Sequence, residues 1–215
     1  MTNNPKRFYR GAIVIVAWFG LVLQLYLMLK NNADRSVLQN LVNFFSYFTI
    51  LTNILVALAT TFSLLIPQTE LGKFFSKPFT ESALTVYIVM VGVIHFLLLR
   101  NIVELKGSDL LADTILHTVM PVLYLLYWLI FVPKGELRWR DSLQWLLFPF
   151  MYFMYVLIRG FIDCFYPYPF ANVDQLGYAK ALMNGGWVLF SFFICGLILS
   201  FMDGAIQKSQ SRKVQ

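Results

Sequence analysis

The chain has 215 residues, of which 59% are hydrophobic and 13% charged, with a formal net charge of +6. That balance is too apolar for a water-soluble domain, and the length exceeds what one spanning helix uses. Its cations sort by position along the chain, so the positive charge requires no nucleic acid partner, and no nucleic-acid-binding motif occurs.

Six apolar runs lie near residues 10–30, 44–66, 80–100, 110–132, 141–163 and 179–203. Each is about 20 residues long, enough to cross roughly 30 Å of hydrocarbon as a helix. The expected fold is all-α: a polytopic membrane protein with six transmembrane helices, forming a single integral membrane domain over 1–215. The first run has too long an apolar core for a cleaved signal peptide, and no small-x-small site follows it. Lys6, Arg7, Arg10, Lys73, Lys77, Lys134, Arg138, Arg140, Lys208, Arg212 and Lys213 carry 11 of the 17 basic side chains. They fall at the N-terminus, the second and fourth connections and the tail. The excess of basic residues on one side predicts both termini in the cytoplasm.

The first span runs from Arg10 to Lys30, and a polar connection over 31–39 leads to a second span starting near Asn43. There Ser46, Thr49 and Asn53 recur at i, i+3 and i+7, on one helical stripe. Polar groups in hydrocarbon must face other helices or a wet cavity. The third span opens at Thr80–Ser82, where Glu81 suits the positive end of a helix; it holds His95 and ends at Arg100. After a connection over 101–109, Ser108 or Asp109 offers an N-cap for the fourth span, which carries Asp113, His117 and Pro121. The fifth span ends with Arg159 and Asp163, an i,i+4 pair read first as a snorkelling ion pair. An aromatic, proline-rich turn over 165–170 reads as an interfacial belt or lid rim. The sixth span passes through Asn184 to Asp203. Cys164 and Cys195 form no motif and read as packed or idle thiols, and no internal repeat is present.

With alternating direction, Thr49, Asn53, His95, Asp113, His117, Arg159, Asp163 and Asn184 all fall in the outer leaflet or just above it. The inner halves of the spans hold almost nothing ionisable. A costly polar layer of this kind suggests a site. Asp113 and His117 at i,i+4 let a carboxylate orient an imidazole, and a hydroxyl on a facing helix would complete a nucleophile–base–orienter set. Pro121 lacks an N–H and crowds the carbonyl four residues earlier, so His117 is expected to have a free carbonyl. A threonine in a spanning helix also packs, or bonds back to its own helix, and His95 can simply bond a hydroxyl. His95, Asp113 and His117 are types that ligate metals, but no tight ligand motif supports a metal, and none is expected. No cofactor is expected either.

Several segments resemble a known family. Thr-Ile-Leu-Thr-Asn-Ile-Leu (49–55) and Leu-His-Thr-Val-Met-Pro (116–121) are similar to paired motifs of the androgen-induced-gene-like membrane proteins. Ser-Tyr-Phe-Thr-Ile-Leu-Thr-Asn (46–53), Val-Ile-His-Phe-Leu-Leu (93–98), Leu-Arg-Trp-Arg-Asp (137–141), Ile-Arg-Gly (158–160) and Tyr-Pro-Tyr-Pro-Phe (166–170) resemble their bacterial six-helix relatives. The resemblance implies a bacterial inner-membrane hydrolase of lipid esters, such as fatty acid esters of hydroxy fatty acids, with its site toward the periplasm. It implies Thr49 as nucleophile and His117 as base, oriented by Asp113. Asn53, His95, Arg159 and Asn184 would then bind substrate: Asn53, Asn184 or His95 at the oxyanion, and Arg159 at a carboxylate. In the family pattern the threonine precedes the asparagine by three residues. Here Thr49 precedes Asn53 by four, so Thr52 stays the alternative nucleophile. An acyltransferase would use the same site. A non-enzymatic receptor, carrier or assembly factor would use the same polar layer to bind a lipid or small molecule.

Overall fold

Among the described residues, six helices are long and apolar enough to cross a membrane: Pro5–Asn31, Phe48–Leu65, Pro78–Leu99, Gly107–Phe131, Asp141–Asp163 and Val173–Arg212. The protein is therefore an all-α integral membrane protein. Large apolar side chains such as Ile15, Val22, Leu97 and Phe201 are exposed on these helices, as lipid-facing residues should be. The computed structural model describes residues 4–212 except 101 and 103; Lys213, counted above among the tail cations, lies outside them. The helices fall into two compact units, one ending at Pro133 and one beginning at Lys134.

In the first unit, α1 (Pro5–Asn31) starts behind an Asn4 cap whose side chain accepts from the Lys6 N–H. The polar connection after it is partly helical. Ser36 and Gln39 form a reciprocal capping box, and α2 (Val37–Phe44) follows. The chain then breaks. The Ser46 hydroxyl bonds back to the Val42 carbonyl at 2.6 Å, and Tyr47 is extended, so α3 (Phe48–Leu65) begins afresh. This corrects the expected stripe: Ser46 precedes the helix that carries Thr49 and Asn53. A short α4 (Glu70–Phe75), capped by Thr69, leads to α5 (Pro78–Ile94).

The ends of α5 and α6 (Gly107–Thr114) depart from α geometry. α5 runs into a π turn over His95–Leu99, and α6 into another over Ile115–Val119, after which α7 (Met120–Phe131) completes the fourth span. α6 opens after Lys106, not after Ser108 or Asp109; Asp109 lies in the first turn and accepts from the Asn31 side chain at 2.9 Å.

The half of this unit expected to face inward is not free of ionisable groups. Glu81 is 2% exposed and accepts at Oε1 from Arg10 Nη2 (2.8 Å) and from the Tyr127 hydroxyl (2.6 Å). Arg10 also donates Nε to Tyr127 and Nη1 to the Ser63 carbonyl. Glu81 lies in the first turn of α5, as its dipole role requires, and it also anchors an ionic knot that joins α1, the end of α3, α5 and α7.

In the second unit, α8 (Asp141–Trp145) and α9 (Leu147–Asp163) precede a 3₁₀ turn (Pro169–Ala171) and the long α10 (Val173–Arg212). Buried Asp203 on α10 accepts from the backbone N–H groups of Gly135 and Leu137, fixing the hairpin that opens the unit.

Candidate active site

Thr49 is the second residue of α3, so its hydroxyl lies at the positive end of the helix dipole. Thr49 Oγ1 is 3.2 Å from His117 Nε2. Behind His117, Nδ1 lies 2.9 Å from Asp113 Oδ1 and 3.1 Å from the Asp113 carbonyl oxygen. Two acceptors at Nδ1 assign the hydrogen of the neutral ring to that nitrogen. Nε2 then offers its lone pair, and the Thr49 hydroxyl donates to it. The three groups expected to form a nucleophile–base–orienter set thus stand in hydrogen-bonded sequence. Thr52, the alternative nucleophile, is wholly buried in α3, and its hydroxyl has no hydrogen-bond partner among the described residues.

The π turn adds a second effect to that of Pro121. The Met120 N–H donates to Ile115, five residues back, so it leaves the Leu116 carbonyl. The residue five after Leu116 is Pro121, which has no N–H to give. The Leu116 carbonyl is therefore short of a helical donor. Asn53 fills the deficit: its Nδ2 donates to the Leu116 carbonyl at 3.3 Å and to the Thr49 carbonyl at 2.9 Å. Asn53 is a clamp between the helix of the hydroxyl and the helix of the base, and its donor is already committed to backbone. Two glycines let neighbouring helices close on this turn. A Cβ on Gly20 of α1 would come 2.6 Å from Ile115 Cγ2, and one on Gly92 of α5 would come 3.0 Å from the His117 carbonyl oxygen. Neither glycine nor the clamp was singled out from sequence; the position of Pro121 was the available signal for the freed carbonyl.

His95 joins the set from the π turn at the end of α5. Its Nε2 is 3.3 Å from Asp113 Oδ2, and its ring stacks on that of His117 with centroids 4.0 Å apart and planes 22° from parallel. Asp113 therefore bridges both histidines of the chain. The side chains of His95, Asp113 and His117 are 14%, 20% and 17% exposed, so the cluster is neither sealed nor open.

Ligand atoms of His95, Asp113 and His117 all lie within 4.8 Å of one another, close enough to suggest a metal centre. The rings argue otherwise. A metal binds along the nitrogen lone pair, in the ring plane, at about 2 Å. Two rings stacked at 4.0 Å and near parallel cannot both aim a lone pair at one ion.

Comparison of the chain with protein-family models, curated proteins and solved structures returns no match. The reading of the site therefore rests on its own geometry and on the motifs quoted above.

Arg159 and Asn184 belong to the second unit, each with partners there. Arg159 is buried, not snorkelling; its Nε donates to Asp163 at 3.2 Å, and its guanidinium lies 4.2 Å from the Phe165 ring centroid. Asn184 Nδ2 donates to the Phe170 carbonyl at 2.9 Å, fastening the aromatic turn in which Tyr168 and Phe170 stack.

Proposed function

We infer that the protein is an intramembrane hydrolase of lipid esters, with Thr49 as nucleophile and His117 as general base. The observation that carries this reading is the 3.2 Å approach of the Thr49 hydroxyl to His117 Nε2, with Asp113 on the opposite nitrogen. It is the arrangement that activates a hydroxyl: base within reach of the nucleophile, acid orienting the base.

Thr49 Oγ attacks the acyl carbonyl carbon while its proton passes to His117 Nε2. The tetrahedral oxyanion collapses, the ester C–O bond breaks, and the leaving alkoxide takes the proton from His117. Water, deprotonated by the same nitrogen, then releases the acid from the acyl-threonine. Asp113 stays ionised and balances the imidazolium throughout. The oxyanion role assigned above to Asn53 and His95 does not suit them, because both donors are engaged in holding the catalytic groups. The positive end of α3, one residue from the nucleophile, is better placed to favour developing negative charge.

The apolar exterior of the helices suits an acyl chain that arrives from the bilayer, which makes a membrane lipid or acyl-chain ester the substrate class. The similarity to bacterial relatives of the androgen-induced-gene-like family, together with the distribution of Lys and Arg, supports an inner-membrane protein with its termini in the cytoplasm and its site toward the periplasm.

The test is turnover by the purified protein of a panel of acyl esters, including fatty acid esters of hydroxy fatty acids, with and without acceptor alcohols. Free acid as the product supports hydrolysis, and a new ester in the presence of alcohol makes the enzyme an acyltransferase. Equal turnover by wild type, Thr49→Ala and His117→Ala would overturn the roles of both residues, and no turnover by wild type would leave a binding protein as the reading.

A further inference from the structure

Asp113 and His117 are four residues apart on one helix, and such a pair can form on any helix surface. What distinguishes this one is that a second element holds it. His95 reaches across from the end of α5, brings Nε2 to 3.3 Å from the carboxylate oxygen that His117 leaves, and covers one face of the His117 ring. Both contacts depend on departures from α geometry. The chain has two histidines, and both sit in π turns, His95–Leu99 and Ile115–Val119. A π turn is rare and costs helix regularity, and it recurs at functional sites because it redirects a side chain. Here it does so on both helices, at the residues whose rings meet.

We propose that His95 is a positioning residue for the Thr49–His117 pair: by donating Nε2–H to Asp113 Oδ2 it locks the carboxylate and, through it, the His117 ring facing Thr49. This deepens the hydrolase reading and, for its kinetic consequence, rests on it. His95 touches neither the nucleophile nor the attacked carbon in this role. It acts by removing freedom from the orienting acid. A carboxylate held at one oxygen only can rotate about its terminal torsion, which is broad and soft. Held at both oxygens, it presents a fixed acceptor to Nδ1. The backbone carbonyl of Asp113 also accepts from Nδ1, so His95 governs the precision of the ring more than the identity of its tautomer. The ionisable groups around His95 are His117, Asp113 and Arg100, the residue that closes its own π turn.

Two substitutions separate the hydrogen bond from the stacked ring. Gln places an amide nitrogen near the position of imidazole Nε2, so His95→Gln keeps the donor without the ring. His95→Phe keeps a stacked ring without the donor. The expected result is a kcat for His95→Phe lower by roughly 100-fold at unchanged KM, the size of effect that follows from loss of catalytic alignment. His95→Gln should stay within about 10-fold of wild type.

The second readout needs no turnover. In either variant His117 is the sole histidine, so its ring nitrogens give the only imidazole signals in a ¹⁵N NMR spectrum. His95→Gln should show sharp His117 signals with the hydrogen on Nδ1, as in wild type, and His95→Phe should show them shifted and exchange-broadened. Unchanged His117 signals in a folded His95→Phe protein would overturn the positioning role, as would rescue of kcat by Phe in place of Gln. If no ester is turned over by the wild type while the NMR pattern holds, the hydrolase reading fails and the positioning of His117 by His95 stands.

Discussion

Two polar clusters occupy opposite ends of α3, and they are built to opposite plans. Thr49 marks one end and the Ser63 carbonyl the other, 14 residues or about 21 Å apart along the axis. At the Ser63 end, Arg10, Glu81 and Tyr127 close on one another: charge meets charge, the carboxylate is 2% exposed, and the guanidinium is shared among three helices. At the Thr49 end, the hydrogen bonds form a chain instead of a knot. His95 holds Asp113, Asp113 holds His117, and His117 faces a hydroxyl on another helix, with each titratable member partly exposed. Burial of ionisable groups in a membrane protein therefore does not by itself mark a site. A cluster that neutralises itself ties helices together. One that ends on a hydroxyl has a direction.

That contrast predicts opposite consequences for mutations at the two ends. The largest effect belongs to Thr49→Ala, which should lower ester turnover on the order of 10,000-fold while thermal unfolding in detergent stays near that of wild type. A similar loss of activity accompanied by unfolding would place Thr49 with the structural cluster. Glu81→Ala reverses the pattern. It strands a buried guanidinium, which costs about 3–5 kcal/mol of stability, and the folded fraction should keep its kcat. Replacing both partners, as Arg10→Met with Glu81→Leu, should recover most of that stability. Asp113→Asn comes next, with kcat lower by roughly 100-fold. The Asp113 carbonyl still accepts from His117 Nδ1, so the tautomer survives and the loss is that of the negative charge. Smallest is Thr52→Val, which removes a buried hydroxyl without a hydrogen-bond partner and should leave both kcat and stability within experimental scatter. A collapse of activity in Thr52→Val would transfer the nucleophile to Thr52.

Much of this arrangement was legible before packing was known. The six spans follow from apolar runs, and Thr49, Asp113 and His117 follow from spacing, topology and residue type. What escaped the sequence are features set by register and by neighbours. The break at residues 45–47 separates Ser46 from Thr49, yet a helical stripe continues through it on paper. The capping box of Ser36 and Gln39 was a readable sign that a separate helix begins there. The π turns were not readable, because a one-residue shift in hydrogen bonding leaves no mark on composition; it leaves the Leu116 carbonyl to be met by the Asn53 side chain. The ionic knot at Glu81 went unseen because its partner lies 71 positions earlier in the chain. Arg159 and Asn184 were assigned to substrate from their depth and residue type, and each is engaged within its own unit by Asp163 and Phe170.

The central claim is that the Thr49 hydroxyl is activated by His117. Its most direct measurement is the site of covalent modification by a fluorophosphonate, mapped by tandem mass spectrometry on the purified protein. The account predicts a single adduct on Thr49, absent from folded His117→Ala and retained in Thr52→Val. An adduct on Thr52 or Ser46, or one on Thr49 that forms equally fast without His117, would contradict it.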